Sequence, residues 1–283
     1  MEHLKFIAEI GSNWIGGSGI SPKNMLYDSI SQACEAGANA VKLQYFRANT
    51  LYSRHRAPDL HARSVEFELP IYLLAYAAEV AAVFGVEFWV SVFDSKLVKD
   101  VARYADVIKI ASGDLTYLPL RMEVSRAGKP IAISTGGALD YEISDALEYF
   151  ATEDTTLFYC VSEYPAQPKD FRLGSILKYR GYVDRIKIGL SDHTKGSIVA
   201  QLAVAKGYTV FEKHFRALDA SKKSPDFDVS GDLGELKHYI DSVKSAYEIC
   251  GGDKKTITAA EAKERLWARR GSDGLRPTEE ALE

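Results

Sequence analysis

The chain has 283 residues, 46% of them hydrophobic and 26% charged, with a formal net charge of −4 and a pI near 5.9. That balance is ordinary for a globular protein and excludes the basic footprint of a nucleic-acid binder. An anionic ligand would need a local basic pocket inside a mildly acidic shell. Cys34, Cys160 and Cys250 form no CxxC pair and are expected to be reduced cytoplasmic thiols. The N-terminus lacks the basic-then-apolar layout of a signal peptide. The apolar stretch from Ala75 to Phe93 is interrupted by Glu79 and Glu87, so neither a membrane span nor a membrane partner is expected.

In chain order, short β-rich runs alternate with segments of helical spacing. A strand at Phe6–Ile10 precedes a helix at Met25–Ala36, and one at Ala40–Gln44 precedes a helix at Ile71–Phe84. Strands at Glu87–Val92 and Val107–Ile110 precede helices at Leu97–Arg103 and Leu120–Ala127. Strands at Pro130–Ser134 and Thr156–Cys160 precede helices at Tyr141–Tyr149 and Leu173–Tyr179. A strand at Lys187–Leu190 leads to a helix at Ile198–Ala205, and a last strand lies at Thr209–Lys213. Gly37, Gly85, Gly128 and Gly207 fall just after helices, where a left-handed residue turns the chain into a strand. Eight such strands predict a parallel sheet closed as a (β/α)8 TIM barrel, a fold that needs roughly 250 residues. A doubly wound open sheet is the competitor, but Gly16, Gly17 and Gly19 lack GxGxxG spacing. We therefore read residues 1–252 as one barrel domain and 253–283 as a C-terminal helix (Thr258–Arg270) with a frayed tail.

Ionisable residues gather where the predicted strands end, and in a barrel those ends share one mouth. Side chains alternate along a strand, so Lys42 and Gln44 point the same way, as do Ser191 and His193, and Glu212 and His214. With Val41 and Leu43 facing the helices, Lys42 faces the lumen, and Lys109 sits in the otherwise apolar run Val107-Ile108-Lys109-Ile110. A buried ammonium needs an anion, either a ligand or a carboxylate such as Glu9. Ser112 before Gly113 and Ser134 before Thr135-Gly136-Gly137 offer hydroxyls beside glycines, as a phosphate site requires, and Ser191 adds a hydroxyl at another strand end. Any one of these is also ordinary turn chemistry. His193 and His214 end adjacent strands about 4.8 Å apart and could share a divalent metal with open positions, or be structural histidines. His3, His55, His61 and His238 read as surface residues.

Taken together, these motifs resemble the N-acetylneuraminate (sialic acid) synthase family. The matching runs are Ala8-Glu9-Ile10-Gly11-Ser12-Asn13, Val41-Lys42-Leu43-Gln44, Lys109-Ile110-Ala111-Ser112-Gly113-Asp114 and Ser134-Thr135-Gly136. Ser162-Glu163-Tyr164-Pro165, Gly189-Leu190-Ser191-Asp192-His193-Thr194, Glu212-Lys213-His214-Phe215 and Ser224-Pro225-Asp226 complete the set. The resemblance implies that Lys42, Lys109, Ser112, Ser134, Ser162 and Ser191 bind phosphoenolpyruvate (PEP), with Lys42 and Lys109 also catalytic. It implies that His193 and His214 hold a divalent metal, Mn²⁺ before Mg²⁺ or Co²⁺. Gln44, Asp114, Tyr164 and Asp226 would contact a sugar aldehyde such as N-acetylmannosamine, and Asp114 would carry a proton. A homodimer is also implied. The chain departs from the family at Trp14 and Ile15, where polar residues are usual beside the sugar, and at Ser91-Val92-Phe93, which lacks a family hydroxyl. It is also expected to lack the antifreeze-like C-terminal domain that many members carry. Two other readings stay open: a Schiff-base aldolase acting on pyruvate through Lys42, Lys109 or Lys213, and a non-catalytic barrel that binds a related ligand.

Overall fold

The computed structural model describes residues 4–17, 19–150, 154–181, 186–251 and 255–282. Its first strand, β1 (Lys5–Gly11), leads to α1 (Pro22–Glu35), whose first turn is fixed by Pro22 and by Ser21 accepting the Asn24 N–H. Strand β2 (Ala40–Tyr45) is followed by two short helices, α2 (Ala48–Leu51) and α3 (Pro58–Glu66), before α4 (Ile71–Phe84). Next come β3 (Glu87–Val92), α5 (Val98–Ala102), β4 (Val107–Ile110), α6 (Leu118–Arg126), β5 (Ile131–Ser134) and α7 (Asp140–Glu148). Strand β6 (Thr155–Tyr159) precedes β7 (Lys187–Asp192), α8 (Ile198–Ala205), β8 (Val210–His214) and α9 (Leu233–Cys250). The eight strands are parallel and close in sequence order, β8 pairing back onto β1. The predicted barrel is therefore the observed one.

Alternation along each strand sorts the residues into two apolar bodies. Val41, Leu43 and Tyr45 of β2 face outward into the shell between sheet and helices, together with Ile108 and Ile110 of β4. The opposite parity faces the lumen. There Ile7, Ala40, Trp89, Val107, Ala132, Phe158 and Val210 form a separate buried cluster that plugs the lower barrel. Trp89 and Phe158 meet edge to face, with ring centroids 6.3 Å apart. Two residues further along each strand the lumen turns polar, and that polar tier is where the site lies.

The predicted turn glycines, 37, 85, 128 and 207, all have positive φ. One predicted helix does not form. The segment Leu173–Tyr179 is made of turns and a 3-10 stretch at Leu177–Gly181. Its buried residues, Leu173, Ile176 and Tyr179, recur every third position, the period of the tighter helix. His61 is also not a surface residue: it is buried in α3, with Nε2 2.9 Å from Asn49 Oδ1. His3 lies outside the described residues. Among the described residues no single helix is long and apolar enough to cross a membrane, although α3 and α4 would pass that test as a bent pair.

The chain divides into two compact units, Met1–Glu248 and Ile249–Glu283. The second contains α10 (Ala259–Ala268). Thr258 Oγ1 accepts the Glu261 N–H while the Glu261 carboxylate accepts the Thr258 N–H, a reciprocal cap. Beyond α10, the Glu279 carboxylate accepts from the Ser272 N–H and hydroxyl, and Thr278 N–H returns to the Leu266 carbonyl.

Candidate active site

The polar tier of the lumen opens into a cavity of about 350 Å³ at the C-terminal ends of the strands. Its floor is an ion-pair lattice. Lys42 Nζ on β2 lies 2.5 Å from Glu9 Oε2 on β1 and 3.7 Å from Glu212 Oε2 on β8. It also donates to Ser91 Oγ at 2.9 Å. Lys109 Nζ on β4 donates to both oxygens of Glu212, at 2.6 and 2.8 Å, and sits 4.7 Å from the centre of the Phe158 ring. All four charged groups are buried. Burial alone would weaken the Lys42 ammonium, but Glu212 and Glu9 outweigh it and raise its pKa. Burial would likewise raise Glu212, yet Lys109 and Lys42 together hold it well below the usual carboxylate range. Lys109 moves the other way: burial, with Lys42 nearby, lowers its pKa in spite of Glu212. The two-pronged contact decides the state of this pair, and we read it as charged.

Above the floor stand hydroxyls. A Cβ placed on Gly136 would lie 2.1 Å from Ser162 Oγ and 2.9 Å from both Cys160 Sγ and Ser112 Oγ. Only a glycine lets these three groups close in. Gly136 N–H donates to Ser112 Oγ at 3.0 Å, and Ser112 Oγ lies 3.2 Å from Cys160 Sγ. Ser134 Oγ, buried beside them, has no hydrogen-bond partner. Burial raises the Cys160 thiol, so it stands in this cluster as a neutral group. Three hydroxyls and a neutral thiol lining the same cavity as Lys109 offer donors to a cluster of anionic oxygens.

The imidazoles complete the wall. His193 Nδ1 lies 2.8 Å from the Val161 carbonyl, which can only accept, so Nδ1 carries the hydrogen. Ser191 Oγ gives its own hydrogen to Glu212 Oε1 at 2.9 Å and cannot also donate to His193 Nε2, 3.3 Å away. The lone pair on Nε2 is therefore unused. Burial, reinforced by His214, pushes His193 down to about 3, so the ring is neutral at ordinary pH. His214 Nδ1 is buried without a hydrogen-bond partner, and the two ring centroids are 5.6 Å apart. Tyr164 lies over His193 at 4.2 Å and presents its face or edge to His214 at 6.0 Å.

Two imidazoles side by side, one with its Nε2 lone pair unused, suit a divalent ion of borderline character, with further positions left to water or substrate. Among the described residues no three His, Cys, Asp or Glu side chains are arranged to hold a metal, so the fit rests on the two imidazoles. At the outer end, Gln44 Nε2 donates to Glu9 Oε1 at 3.1 Å, and Asp226 enters from the loop after β8 with Oδ1 3.9 Å from His214 Nδ1.

The cavity wall thus brings together Lys42, Gln44, Lys109, Ser112, Ser134, Ser162, Tyr164, Ser191, His193, His214 and Asp226. Asp114 is the one predicted site residue outside that wall; it follows Ser112 in a 3-10 turn, and burial raises its carboxyl to about 6. Trp14 is also not at the cavity, because it packs into the outer apolar shell, with Ile15 against the same body.

Residues 29–255 match the NeuB family. The chain belongs to that family. An N,N'-diacetyllegionaminic acid synthase from Legionella pneumophila is 31% identical over 93% of this chain and 78% of its own length. An uncharacterized protein from Methanocaldococcus jannaschii is 33% identical over 93% of this chain and 77% of its own length. The crystal structure of N-acetylneuraminic acid (sialic acid) synthetase from Leptospira borgpetersenii, in complex with citrate, is 26% identical with a TM-score of 0.83. That similarity covers 93% of this chain and 90% of the other.

Within this NeuB-family barrel, sequence reasoning gave no role to Glu212 or Cys160. Glu212 had a signal, since it shares strand parity with His214. A buried carboxylate two residues below a lumen histidine must meet a cation there, and two lysines were already placed in the lumen.

Proposed function

We propose that this chain condenses phosphoenolpyruvate with an N-acylated or related sugar aldehyde, such as N-acetylmannosamine, giving a nonulosonic acid and inorganic phosphate. The observation that carries this reading is the layering of one cavity: Lys42 and Lys109 at its floor, converging hydroxyls beside them, and two adjacent imidazoles above. PEP would rest its carboxylate and phosphate on Lys42, Lys109, Ser112, Ser134, Ser162 and Ser191. Gln44, Tyr164 and Asp226 would orient the acceptor.

In the reaction, C3 of PEP forms a bond to the aldehyde carbon, and the aldehyde oxygen takes a proton. C2 becomes electron-poor as the C2=C3 double bond is spent, a water oxygen bonds to it with loss of a proton, and the C2–O bond to phosphate breaks as the new hydroxyl gives up its proton and becomes the C2 carbonyl. The lysines and hydroxyls are already oriented, so stabilising the departing phosphate requires little reorganisation. His193 and His214 would hold a divalent ion, Mn²⁺ before Mg²⁺ or Co²⁺, which supplies Lewis acidity to the aldehyde carbonyl when bound. Asp114 stands outside the cavity wall, and we assign it no step.

The Schiff-base alternative requires a free amine in the cavity. Lys42 and Lys109 are each held by a carboxylate, and Lys213 is bonded to the Thr194 carbonyl outside this wall. The deciding assay follows phosphate release by purified protein with Mn²⁺, PEP and a panel of N-acylated sugars. Turnover with one or more of them is expected. Trapping of pyruvate on the protein by borohydride, with no phosphate release from PEP, would replace this reading with the aldolase.

A further inference from the structure

The seam where β1 meets β8 carries a clamp that the proposed reaction does not by itself explain. β1 ends in a register shift between Glu9 and Gly11, and Gly11 adopts φ +54. A Cβ there would stand 2.4 Å from Asp226 Oδ2 and 3.2 Å from Gln44 Nε2, so a side chain at this position would drive both groups away. Glycine lets the chain fold over Asp226 and brings Ser12 against it.

Ser12 N–H donates to Asp226 Oδ2 at 2.8 Å, and Ser12 Oγ donates to the same oxygen at 2.7 Å. A hydroxyl has one hydrogen, so the 2.7 Å contact between Ser12 Oγ and Ser224 Oγ has Ser224 as donor. The Asp226 N–H is shared between the two hydroxyl oxygens, at 3.2 Å to Ser12 and 3.3 Å to Ser224. Behind this, Ser230 Oγ donates to the Asp226 carbonyl at 2.6 Å, and Asn13 Nδ2 donates to Ser230 Oγ at 2.8 Å. The result is asymmetric: Oδ2 receives two donors from Ser12, while Oδ1 is the oxygen turned towards His214.

We infer that Ser12 is a positioning residue for acceptor recognition: its hydroxyl and N–H fix Asp226 Oδ2 so that Oδ1 alone is presented to a hydroxyl or amide N–H of the sugar. This rests on the reading that Asp226 touches the acceptor. The buried Ser12 hydroxyl serves Asp226 and Ser224 and does not line the cavity, so its effect passes through Asp226. The Ser12 N–H survives any side-chain substitution. Removing the hydroxyl therefore loosens the carboxylate without releasing it.

The test compares Ser12→Ala, Ser12→Thr and Asp226→Asn by steady-state kinetics with Mn²⁺, varying the acceptor and PEP separately. Loss of one hydrogen bond to a charged group predicts a fall of roughly tenfold in acceptor kcat/KM for Ser12→Ala. The KM for PEP should stay within about twofold, and Ser12→Thr, which keeps the hydroxyl, should restore most of the loss. If Asp226→Asn impairs acceptor use and Ser12→Ala does not, the clamp is wrong while the reading of Asp226 stands. If Asp226→Asn leaves acceptor use unchanged, the reading of Asp226 fails first and the clamp with it. Equal loss for PEP and acceptor in Ser12→Ala would show a general structural role and overturn the inference. Melting curves of each variant separate loss of fold from loss of positioning.

Discussion

Replacing Glu212 by Gln tests the ion-pair lattice at the barrel floor. Glu212 accepts from Lys109 through both oxygens at 2.6 and 2.8 Å, from Ser191 at 2.9 Å, and lies 3.7 Å from Lys42. The amide keeps the shape and removes the charge, so Lys42 is left with Glu9 and Lys109 with no carboxylate. Lys109 has no other carboxylate within ion-pair distance among the described residues. Breaking a buried pair on one side typically costs about 3–5 kcal/mol. For a chain of this size that is a fall in Tm of roughly 6–20 °C. The companion variant Lys109→Met/Glu212→Met removes both charges and leaves the Lys42–Glu9 pair in place. It should recover most of the loss, because a buried pair replaced by apolar groups is often neutral. Lys109→Met alone should sit near Glu212→Gln. Thermal and urea denaturation of these proteins, with Glu212→Met as the second single variant, closes the cycle. If Glu212→Gln stays within about 1 kcal/mol of the parent, or if the double variant loses as much as the two single losses added, the floor is not a coupled ion-pair lattice and the reasoning is refuted.

Asp114 gives a pH prediction. Burial raises its carboxyl from 3.8 to about 6, a difference worth about 3 kcal/mol. A folded-state pKa above the unfolded value favours folding below pH 3.8 and loses that contribution as pH rises through 6. Asp114→Asn should therefore gain stability relative to the parent between pH 4 and 7, and parallel denaturation midpoints for the two across that range would contradict it. Gly136→Ala should weaken PEP binding by roughly tenfold or more with the fold retained, since a methyl group would meet Ser162 Oγ, Cys160 Sγ and Ser112 Oγ. Adding Ser162→Gly removes the nearest of those contacts, and calorimetry should show part of the affinity return; no return would place the clash elsewhere. His193→Ala and His214→Ala should each lower bound Mn²⁺ measured by elemental analysis after gel filtration, and chelation of the parent should abolish turnover until Mn²⁺ is restored. Unchanged metal content in both variants would remove the imidazoles from the metal site.

Much of the barrel could be read from the sequence because each strand is a short apolar run closed by a turn. The lumen positions of Lys42 and Lys109 were equally readable, because an ammonium in such a run must face something polar. What escaped were contacts between residues far apart in the chain. Glu212 is 103 residues from Lys109, and Asp226 is 214 residues from Ser12, so no local pattern pairs them. Where Trp14 points could not be read from the sequence, because the turn after β1 decides it and directs the ring into the outer shell, away from the mouth. The helix α2 went unread because it is a single turn, and α3 because the one side chain it buries is a histidine, His61, which marks no apolar stripe. Leu173–Tyr179 misled because its three-residue spacing also satisfies part of an α-helical pattern.

The apolar plug formed by Trp89, Phe158 and their neighbours has a consequence for traffic through the protein. A molecule resting on Lys42 and Lys109 meets packed hydrocarbon beneath it and cannot drain downward. Two reactants of unequal depth then have to queue: the small one must settle before the large one covers it, and whatever is formed at the bottom must wait for the top to clear.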